Sequence, residues 1–447
     1  MNVQDKFNQK DTILVVSDYP EKSKRGEKNY GIAWYTKETI EPIADRYNRK
    51  FIVLAEKDGD NSPKLLCGGK ILLLRVFDPK RRSLFPVILK WLWTFDQIDS
   101  VYIHSEFCAN GGIKNFVLLL PFLLLIKLSG REITYFAHNV VTDLTGIAPH
   151  LNLNKKALSF RILNSGIKFY YAFLGILCNQ IVVMDEEMKR RLSLFVWESK
   201  ITSLPFWIKD DETRLTKSEA RKKLGIAQNK FVLLYFGFVT WYKGADWLID
   251  QVTDKKFAKK FPKLQLILAG GEAYSLKDKE YYQKYYQEQL AKVRTSKNAR
   301  ITDFVPDKDI ALYFSAADAV VFPYRGLIGS SGALAYALTY RKPFLLSFGM
   351  KSAMQNEEYL EALKITGLSS RDLTFGLSQK SFINALTRLT DKEKLRKLEE
   401  VAELISQKRS FAVLMPKYYQ AVFCGTSQKA VNLKRKAAYA YGQVVNR

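Results

Sequence analysis

The feature that most constrains the fold is a regular alternation of short β-branched runs with helical stretches. In the first half, candidate strands are TILVVS, FIVLAE, ILLLRV, SVYIHS, EITYFAH and QIVVMD, and helical stretches separate most of them. After a hinge candidate at residues 203–211, the pattern resumes with FVLLYFG, LQLILAGG, ARITDFV, AVVFPY and PFLLSFG. Such alternation predicts parallel sheets with helices on both faces. The sequence therefore predicts an α/β chain of two Rossmann-like domains facing a central cleft.

The length supports this division. A chain of 447 residues exceeds a single domain of ordinary size. We predict an N-terminal domain at residues 1–205, a C-terminal domain at residues 206–425 and a basic tail at residues 426–447.

The charge balance indicates an anionic neighbour. Seventy Lys and Arg residues against forty-five Asp and Glu residues give a net charge of +25. Such an excess suits a phosphate-bearing substrate, an anionic lipid surface or nucleic acid. Nucleic-acid binding would require basic residues interleaved with stacking aromatics, or a recognisable module, and the sequence shows neither. We therefore expect no nucleic-acid partner.

Cysteine and histidine usage argues against disulfide and metal chemistry. The four cysteines lie far apart, with no Cys-x-x-Cys pair, and the chain has three histidines. This pattern fits a reducing compartment without a metal site or resident cofactor. The polar N-terminus lacks the apolar core of a secretion signal, so we expect a cytoplasmic protein.

Polar residues follow two strand candidates of the first half. SVYIHS brings His104 and Glu106 to a strand end, and EITYFAHN brings His138. In open α/β sheets, ligands bind beyond the carboxyl ends of the strands, so these residues are candidates for a cleft. Alternatively, each histidine only packs at its strand end.

The second half offers a candidate phosphate site. Lys243 follows a strand and falls at the start of a helix, where backbone N–H groups and an ammonium can share one phosphate. Arg325 precedes a loop of small residues, Gly329-Ser330-Ser331-Gly332, in which serine hydroxyls and the guanidinium can also bind phosphate. The alternatives are a solvated lysine and a serine that caps the following helix.

Taken together, these segments resemble the GT-B-fold glycosyltransferases of the large retaining family-4-type group. The resemblance covers residues 12–423 and rests on the order of ILVVSDYP, AHN, QIVVMDEEMKRRL, FGFVTWYKGADWLI, LQLILAGG, SAADAVVFPYR and ALAYALTYRKP. It implies that the first domain binds the acceptor and the second a nucleotide-sugar.

The resemblance also implies residue roles and shows departures. Lys243 would contact the donor diphosphate, His138 would lie near the transferred sugar, and Gly31 would bring backbone close to the donor. No metal is expected, because basic groups offset the charge of the leaving group. Three positions depart from the family pattern: Phe238 replaces an arginine, and Ile328 and Tyr336 replace glutamates. Of these, Tyr336 bears on recognition of the ribose.

The first domain also contains two candidates for membrane contact. In the stretch PKRRSLFPVILKWLW, at residues 79–93, Lys80, Arg81 and Arg82 adjoin a run of aliphatic and aromatic residues. This composition is typical of an interfacial anchor. The apolar run from Phe116 to Ile126 is too short to span a bilayer, and we expect it to be a buried crossover helix.

These observations lead to two hypotheses about function. The first is a peripheral glycosyltransferase on the inner face of the membrane, which moves a sugar with retention onto a lipid-linked or surface-polysaccharide acceptor. Lys243, Arg325, Ser330, Ser331 and Gly332 would bind the donor, His138 would act at the reacting centre, and His104 and Glu106 would orient the acceptor. The second is a non-catalytic GT-B protein that scaffolds a glycan-assembly complex at the membrane.

Overall fold

The structure is a computed structural model of the chain. It describes residues 3–20, 30–57, 59–78, 81, 84–105, 113–146, 148, 153–208, 215–273, 276–326 and 329–423. Within these ranges the strands form two separate sheets, one in each half of the sequence.

The first sheet has eight strands in the order β3-β4-β2-β1-β5-β6-β7-β8. Its strands are β1 Ile13–Val16, β2 Phe51–Glu56, β3 Lys64–Leu66, β4 Ile71–Phe77, β5 Ser100–Ser105, β6 Glu132–Ala137, β7 Gln180–Val183 and β8 Ile201–Ser203. All neighbours pair in parallel except β3, which runs antiparallel to β4.

Helix α1 Val3–Phe7 precedes β1, and further helices connect the parallel strands of this sheet. They are α2 Tyr30–Tyr47, α3 Leu84–Thr94, α4 Ile113–Leu128, α5 Leu158–Leu177 and α6 Glu186–Leu192. From β4 onward, each step along the sequence moves across the sheet in one direction. Since such crossovers are right-handed, α3, α4, α5 and α6 lie in one layer on the same face of the sheet.

The second sheet has six parallel strands in the order β11-β10-β9-β12-β13-β14. The elements are α7 Lys217–Leu224, β9 Phe231–Phe236, α8 Ala245–Thr253, α9 Lys255–Lys260, β10 Leu264–Ala269, α10 Glu280–Arg294, β11 Ala299–Ile301, α11 Asp307–Ala316, β12 Ala319–Phe322, α12 Gly332–Thr339, β13 Phe344–Ser347, α13 Glu357–Thr366, α14 Ser370–Leu373, β14 Thr374–Phe375, α15 Gln379–Thr390, α16 Lys392–Lys408 and α17 Phe411–Tyr418.

The prediction of two Rossmann-like domains is confirmed. Every strand candidate quoted above lies on a strand, and β1, β12 and β13 are buried along their whole length. Strands covered by helices on both faces have no polar alternation, which is why the continuous apolar runs identified them. The three strands not foreseen, β3, β8 and β14, have two or three residues each.

The end of the described chain packs against the first sheet. Leu414, Met415 and Tyr418 of α17 lie in the hydrophobic core of the first sheet, together with Val422 and Phe423 from the turn that follows. By sequence, this segment belongs to the predicted C-terminal domain at residues 206–425. The structure thus connects the two halves twice, through residues 204–208 and through α17.

The apolar run from Phe116 to Ile126 lies on α4, the crossover between β5 and β6, as expected. It is only half buried, however. Phe116, Leu119, Phe122, Leu123 and Ile126 enter the core. The side chains of Val117, Leu118, Leu124 and Leu125 point away from the sheet and are exposed.

Candidate active site

The candidate site lies where the strand order of each sheet reverses. In the first sheet this switch point falls between β1 and β5, and in the second between β9 and β12. His104 is the penultimate residue of β5, whereas Lys243 and Arg325 lie in the loops after β9 and β12. Ligands of open α/β sheets bind at such points, because connections leave the two neighbouring strands in opposite directions.

Two histidines contact each other at the end of the first sheet. The Nδ1 atom of His104 lies 3.2 Å from Nε2 of His138. The His104 ring is buried and stacks on Phe136 at 4.2 Å. His138 follows β6 and is half-buried, and the Tyr35 ring meets it edge-on at 5.0 Å. The structure therefore brings together two residues that the sequence placed on different strands.

Burial keeps both imidazoles neutral. Desolvation lowers the pKa of His138 to about 3, and desolvation together with the neighbouring His138 holds the pKa of His104 well below its usual value. Thr36 Oγ1 donates to the carbonyl of Ile32 at 2.9 Å and lies 3.4 Å from His104 Nδ1. Because that hydroxyl proton is directed to Ile32, the arrangement favours Nδ1 of His104 as the donor to Nε2 of His138. In that tautomeric state, neutral His138 carries its proton on Nδ1.

Helix α2 supports this pair from below. Thr36 also hydrogen-bonds to Ser17, with 2.6 Å between the two hydroxyl oxygens. The Tyr35 hydroxyl donates to that of Tyr418 at 3.2 Å. Gly31 lies in the first turn of α2, is exposed, and has no atom within 4 Å of the position a Cβ would take. Backbone at Gly31 is therefore accessible, and its contact with a donor stays a prediction.

Three aromatic rings of the second domain lie near the ammonium of Lys243. Its Nζ atom is 5.8 Å from the ring centres of Phe238 and Tyr324 and 5.9 Å from that of Tyr242. Burial disfavours the charge, but the neighbouring Tyr242 and Tyr324 outweigh this effect and raise the pKa of Lys243. The ammonium therefore remains charged beside ring faces, which attract cations.

Glycines at the strand ends make room for this lysine. A Cβ at Gly237 would lie 3.0 Å from the Lys243 ammonium. Gly244 is the N-cap of α8 and has a φ of 70°. A Cβ there would lie 2.0 Å from the carbonyl oxygen of Pro323. The loops after β9 and β12 can approach each other this closely only because residue 244 has no side chain.

Arg325 is engaged with its own domain. Its guanidinium forms a bidentate ion pair with Asp246, with both N···O distances at 2.8 Å, and also donates to the carbonyl of Trp241. The guanidinium carbon lies 4.4 Å from the centre of the Trp241 ring. In this arrangement Arg325 fixes the loop that carries Lys243.

The small-residue loop leads into α12. Ser331 is the N-cap of that helix, and its hydroxyl accepts from the Leu334 backbone N–H at 3.3 Å. The same hydroxyl lies 3.4 Å from that of Tyr324. Ser330 is half-buried, and Gly332 is exposed at the first position of the helix. One serine thus takes the capping role that the sequence left open, and Tyr324 links it to Lys243.

The two domains meet directly beside His138. Asn139 forms an antiparallel backbone bridge with Gly329. A Cβ at Gly329 would lie 2.6 Å from the carbonyl oxygen of His138, so only glycine allows this approach. The bridge places His138, the candidate for the reacting centre, next to the small-residue loop of the second domain.

The remaining candidates divide into those that the structure describes and those that it does not. Tyr336 packs edge-on against Phe236 at 5.6 Å, and Phe238 is half-buried. Glu106 and Ile328 lie outside the described residues. Within the described ranges, no three His, Cys, Asp or Glu side chains form a group able to hold a metal ion.

Sequence reasoning missed the residues that support the site. Tyr35 and Thr36 lie on the buried face of α2, and helical periodicity alone gives such residues a core role. Asp246 lies three positions after Lys243, as an ordinary acidic residue in a first helical turn. Its pairing with Arg325 joins the start of α8 to the loop after β12, 79 positions along the chain, and a single sequence contains no signal for such a pair.

Comparisons with known proteins agree with this arrangement. The family model described as "Glycosyl transferases group 1" matches residues 216–344. Sucrose-phosphate synthase from Thermosynechococcus elongatus superposes with a TM-score of 0.66 at 14% identity, over 92% of this chain and 98% of that one. HepE of Anabaena, solved with UDP-glucose, gives 0.62 at 16% identity over 92% and 99%. WaaG, a glycosyltransferase of lipopolysaccharide biosynthesis, gives 0.60 at 14% identity over 93% and 100%.

At these identities the structural likeness concerns the fold. No curated protein is significantly similar in sequence. The family match covers α7 to the start of β13 and includes Lys243, Arg325 and the loop before α12. The chain therefore has the GT-B fold, and its residues 216–344 match the family model of the group 1 glycosyl transferases.

Proposed function

We propose that this protein is a retaining glycosyltransferase that moves a sugar from a nucleotide-sugar to a lipid-linked or surface-polysaccharide acceptor. The donor would lie in the second domain, with its diphosphate near Lys243 and the N-terminus of α12. His138 would lie at the transferred sugar, and His104 would orient the acceptor. The group 1 domain, the UDP-glucose complex of HepE and the lipopolysaccharide role of WaaG support the proposal.

One continuous set of contacts carries this proposal. Lys243 adjoins the ring of Tyr324, whose hydroxyl reaches Ser331. The same loop bridges from Gly329 to Asn139, directly after His138. Neighbouring residues of both domains thus connect a cation, a helix N-terminus and a neutral histidine. A nucleotide-sugar carries a diphosphate and a sugar in one molecule and would contact both domains.

The chemistry follows from where charge develops during transfer. As the bond to the anomeric carbon breaks, negative charge grows on the departing diphosphate. The Lys243 ammonium and the N–H groups at the start of α12 would stabilise that charge without a metal ion. The Nδ1–H of neutral His138 would donate to the sugar, and such a bond gains strength as the transition state forms. Arg325, paired with Asp246, would hold the lysine loop in place.

The alternative function is a non-catalytic scaffold with the same fold. Tyr336 favours it, because its neutral phenol, on a ring packed against Phe236, cannot form the charge-assisted hydrogen bonds with ribose hydroxyls that a carboxylate forms. The ion pair of Arg325 with Asp246 also favours a scaffold, because both terminal guanidinium nitrogens already donate to that carboxylate and not to a phosphate.

A donor panel separates the two functions. The full chain would be incubated with UDP- and GDP-sugars and a glycolipid extract, and products would be detected by mass spectrometry. An enzyme yields an acceptor heavier by one sugar residue with one donor, and NMR of that product shows the donor's anomeric configuration retained. A scaffold yields no product with any donor and binds none of them in calorimetry.

A further inference from the structure

Two helices of the first domain present large apolar side chains to solvent. On α4, Leu125 and Leu128 are exposed, the latter by 73%. On α5, Phe169, Phe173 and Ile176 are exposed, with Phe169 at 68%. Isolated apolar residues are common on protein surfaces, but a contiguous cluster of aromatic and aliphatic side chains marks a contact surface.

These side chains lie on one side of the molecule. Helices α4 and α5 are neighbours in one layer, and Phe116 of α4 stacks on Tyr170 of α5 at 3.8 Å. The Lys127 ammonium donates to the carbonyl of Ile176 at 2.8 Å, so the C-terminal ends of the two helices also meet. Their buried faces cover the sheet, and their exposed faces point together away from it.

The loop after α6 extends this cluster. Trp197 is 72% exposed. A Cβ at Gly175 of α5 would lie 2.7 Å from the Val196 side chain, so the loop packs directly on the end of that helix. Leu125, Leu128, Phe169, Phe173, Ile176 and Trp197 together define the apolar face.

Most charged residues on and beside this face are basic; the exception, Glu198 next to Trp197, pairs with Lys189 at 2.9 Å. Neither α4 nor α5 contains an Asp or Glu residue, whereas Lys127, Arg161 and Lys168 lie on them. Helix α3, beside α4 in the same layer, also lacks acidic residues and carries Lys90. Lys200 lies beside Trp197, with its ammonium 5.7 Å from the ring centre. A basic border around aromatic and aliphatic side chains is complementary to anionic headgroups above an acyl phase.

This pattern favours a membrane over a second copy of the chain. A two-fold interface would bring the same face of two chains together, and their basic borders would then repel each other. No helix in the described part of the chain combines the length and hydropathy needed to cross a bilayer. Contact would therefore be interfacial, with side chains entering the headgroup region.

We infer that the apolar face docks this protein on an anionic lipid surface. The inference rests on the proposed function in one respect: docking would bring the cleft to a membrane-borne acceptor. It places the contact on α4 and α5 rather than on the 79–93 stretch, where Ile88 and Leu92 are buried in the core. Trp93, at the end of α3, is exposed and lies in the same layer.

The test uses the full chain and vesicles of phosphatidylcholine with or without phosphatidylglycerol. A triple variant, Leu128→Glu, Phe169→Glu and Phe173→Glu, places carboxylates at exposed positions where folding does not need the apolar side chain. The control, Leu360→Glu with Ile365→Glu, introduces carboxylates at two exposed apolar positions, 56% and 57%, on α13 of the second domain. We expect the parent and the control to co-sediment with the anionic vesicles, less so at high salt. The triple variant should partition about tenfold more weakly or worse.

Three results would overturn the inference. The parent could fail to bind the vesicles, the triple variant could bind as the parent does, or the parent could be a dimer that the triple substitution dissociates. Circular dichroism of each variant verifies that the fold is retained. Binding of UDP- and GDP-sugars, measured on the same samples, keeps the two proposals apart: vesicle binding without nucleotide-sugar binding supports the docking face but contradicts the proposed function.

Discussion

At the scale of single residues, the site depends on groups whose charge state is set by burial. His104 and His138 stay neutral, whereas Lys243 stays charged among aromatic rings. The sequence identified all three by their position after apolar runs. It could not show that the two histidines touch, because that contact depends on the pairing of β5 with β6.

The neutral histidines should make the stability of the fold depend on pH. The pKa of His138 is about 3 in the folded chain, against a usual value near 6.5. Between these values the unfolded state binds a proton that the folded state does not, so the free energy of unfolding falls as pH falls. The slope should be about 1.4 kcal/mol per pH unit for each histidine that stays neutral.

Urea unfolding from pH 7 to pH 4 measures this slope in the parent and in His138→Gln. Replacing the histidine by an amide, which does not titrate, should reduce the slope. Equal slopes in the two proteins would mean that His138 is protonated in the folded state.

The role of His138 in catalysis has a separate test. On the proposed function, His138→Ala removes a hydrogen-bond donor to the sugar in the transition state, so turnover should fall about 10²-fold or more. Affinity for the nucleotide-sugar should change little, because the proposal puts most of its contacts in the second domain. Steady-state kinetics and nucleotide calorimetry on the same preparation measure both quantities. A folded variant with parental turnover would exclude the catalytic role.

At the scale of elements, the strands and the loops after them follow different physical rules. The strands were predictable because helices cover both faces of each sheet and leave continuous apolar runs. The loops depend on close backbone approaches, at Gly244 to Pro323 and at Gly329 to His138. A glycine in a sequence indicates conformational freedom, but it does not indicate which backbone comes near it.

Gly244 is the position where this approach can be tested. Gly244→Ala puts a methyl group against the Pro323 carbonyl at a φ of 70°, so the β9 and β12 loops must separate. The free energy of unfolding should fall by at least about 2 kcal/mol in urea titrations.

Gly332→Ala is the matched control, because nothing lies within 4 Å of its Cβ position at the start of α12. Its stability should stay within about 0.5 kcal/mol of the parent. If the two variants were equally stable, the close approach of the two loops would be wrong.

At the scale of the whole molecule, the C-terminal helix joins the second domain back to the first. The Tyr418 hydroxyl donates to the carbonyl of Pro205 at 2.9 Å and lies under Tyr35, which contacts His138. Arg409 pairs with Glu358 at 2.6 Å just before this helix begins. The order of elements in the sequence predicted two domains facing a cleft, but the return of α17 required a partner surface that only the folded first domain provides.

The central claim is that the cleft binds a nucleotide-sugar with its diphosphate at Lys243. Isothermal calorimetry of the donor identified by the panel, on the parent and on Lys243→Ala, tests it most directly. Losing one charge-assisted contact costs about 1.5–3 kcal/mol, so affinity should fall roughly 10- to 150-fold. The exposed Lys256→Ala on α9, as the control, should bind the donor as the parent does. Parental affinity in a folded Lys243→Ala variant would contradict the account.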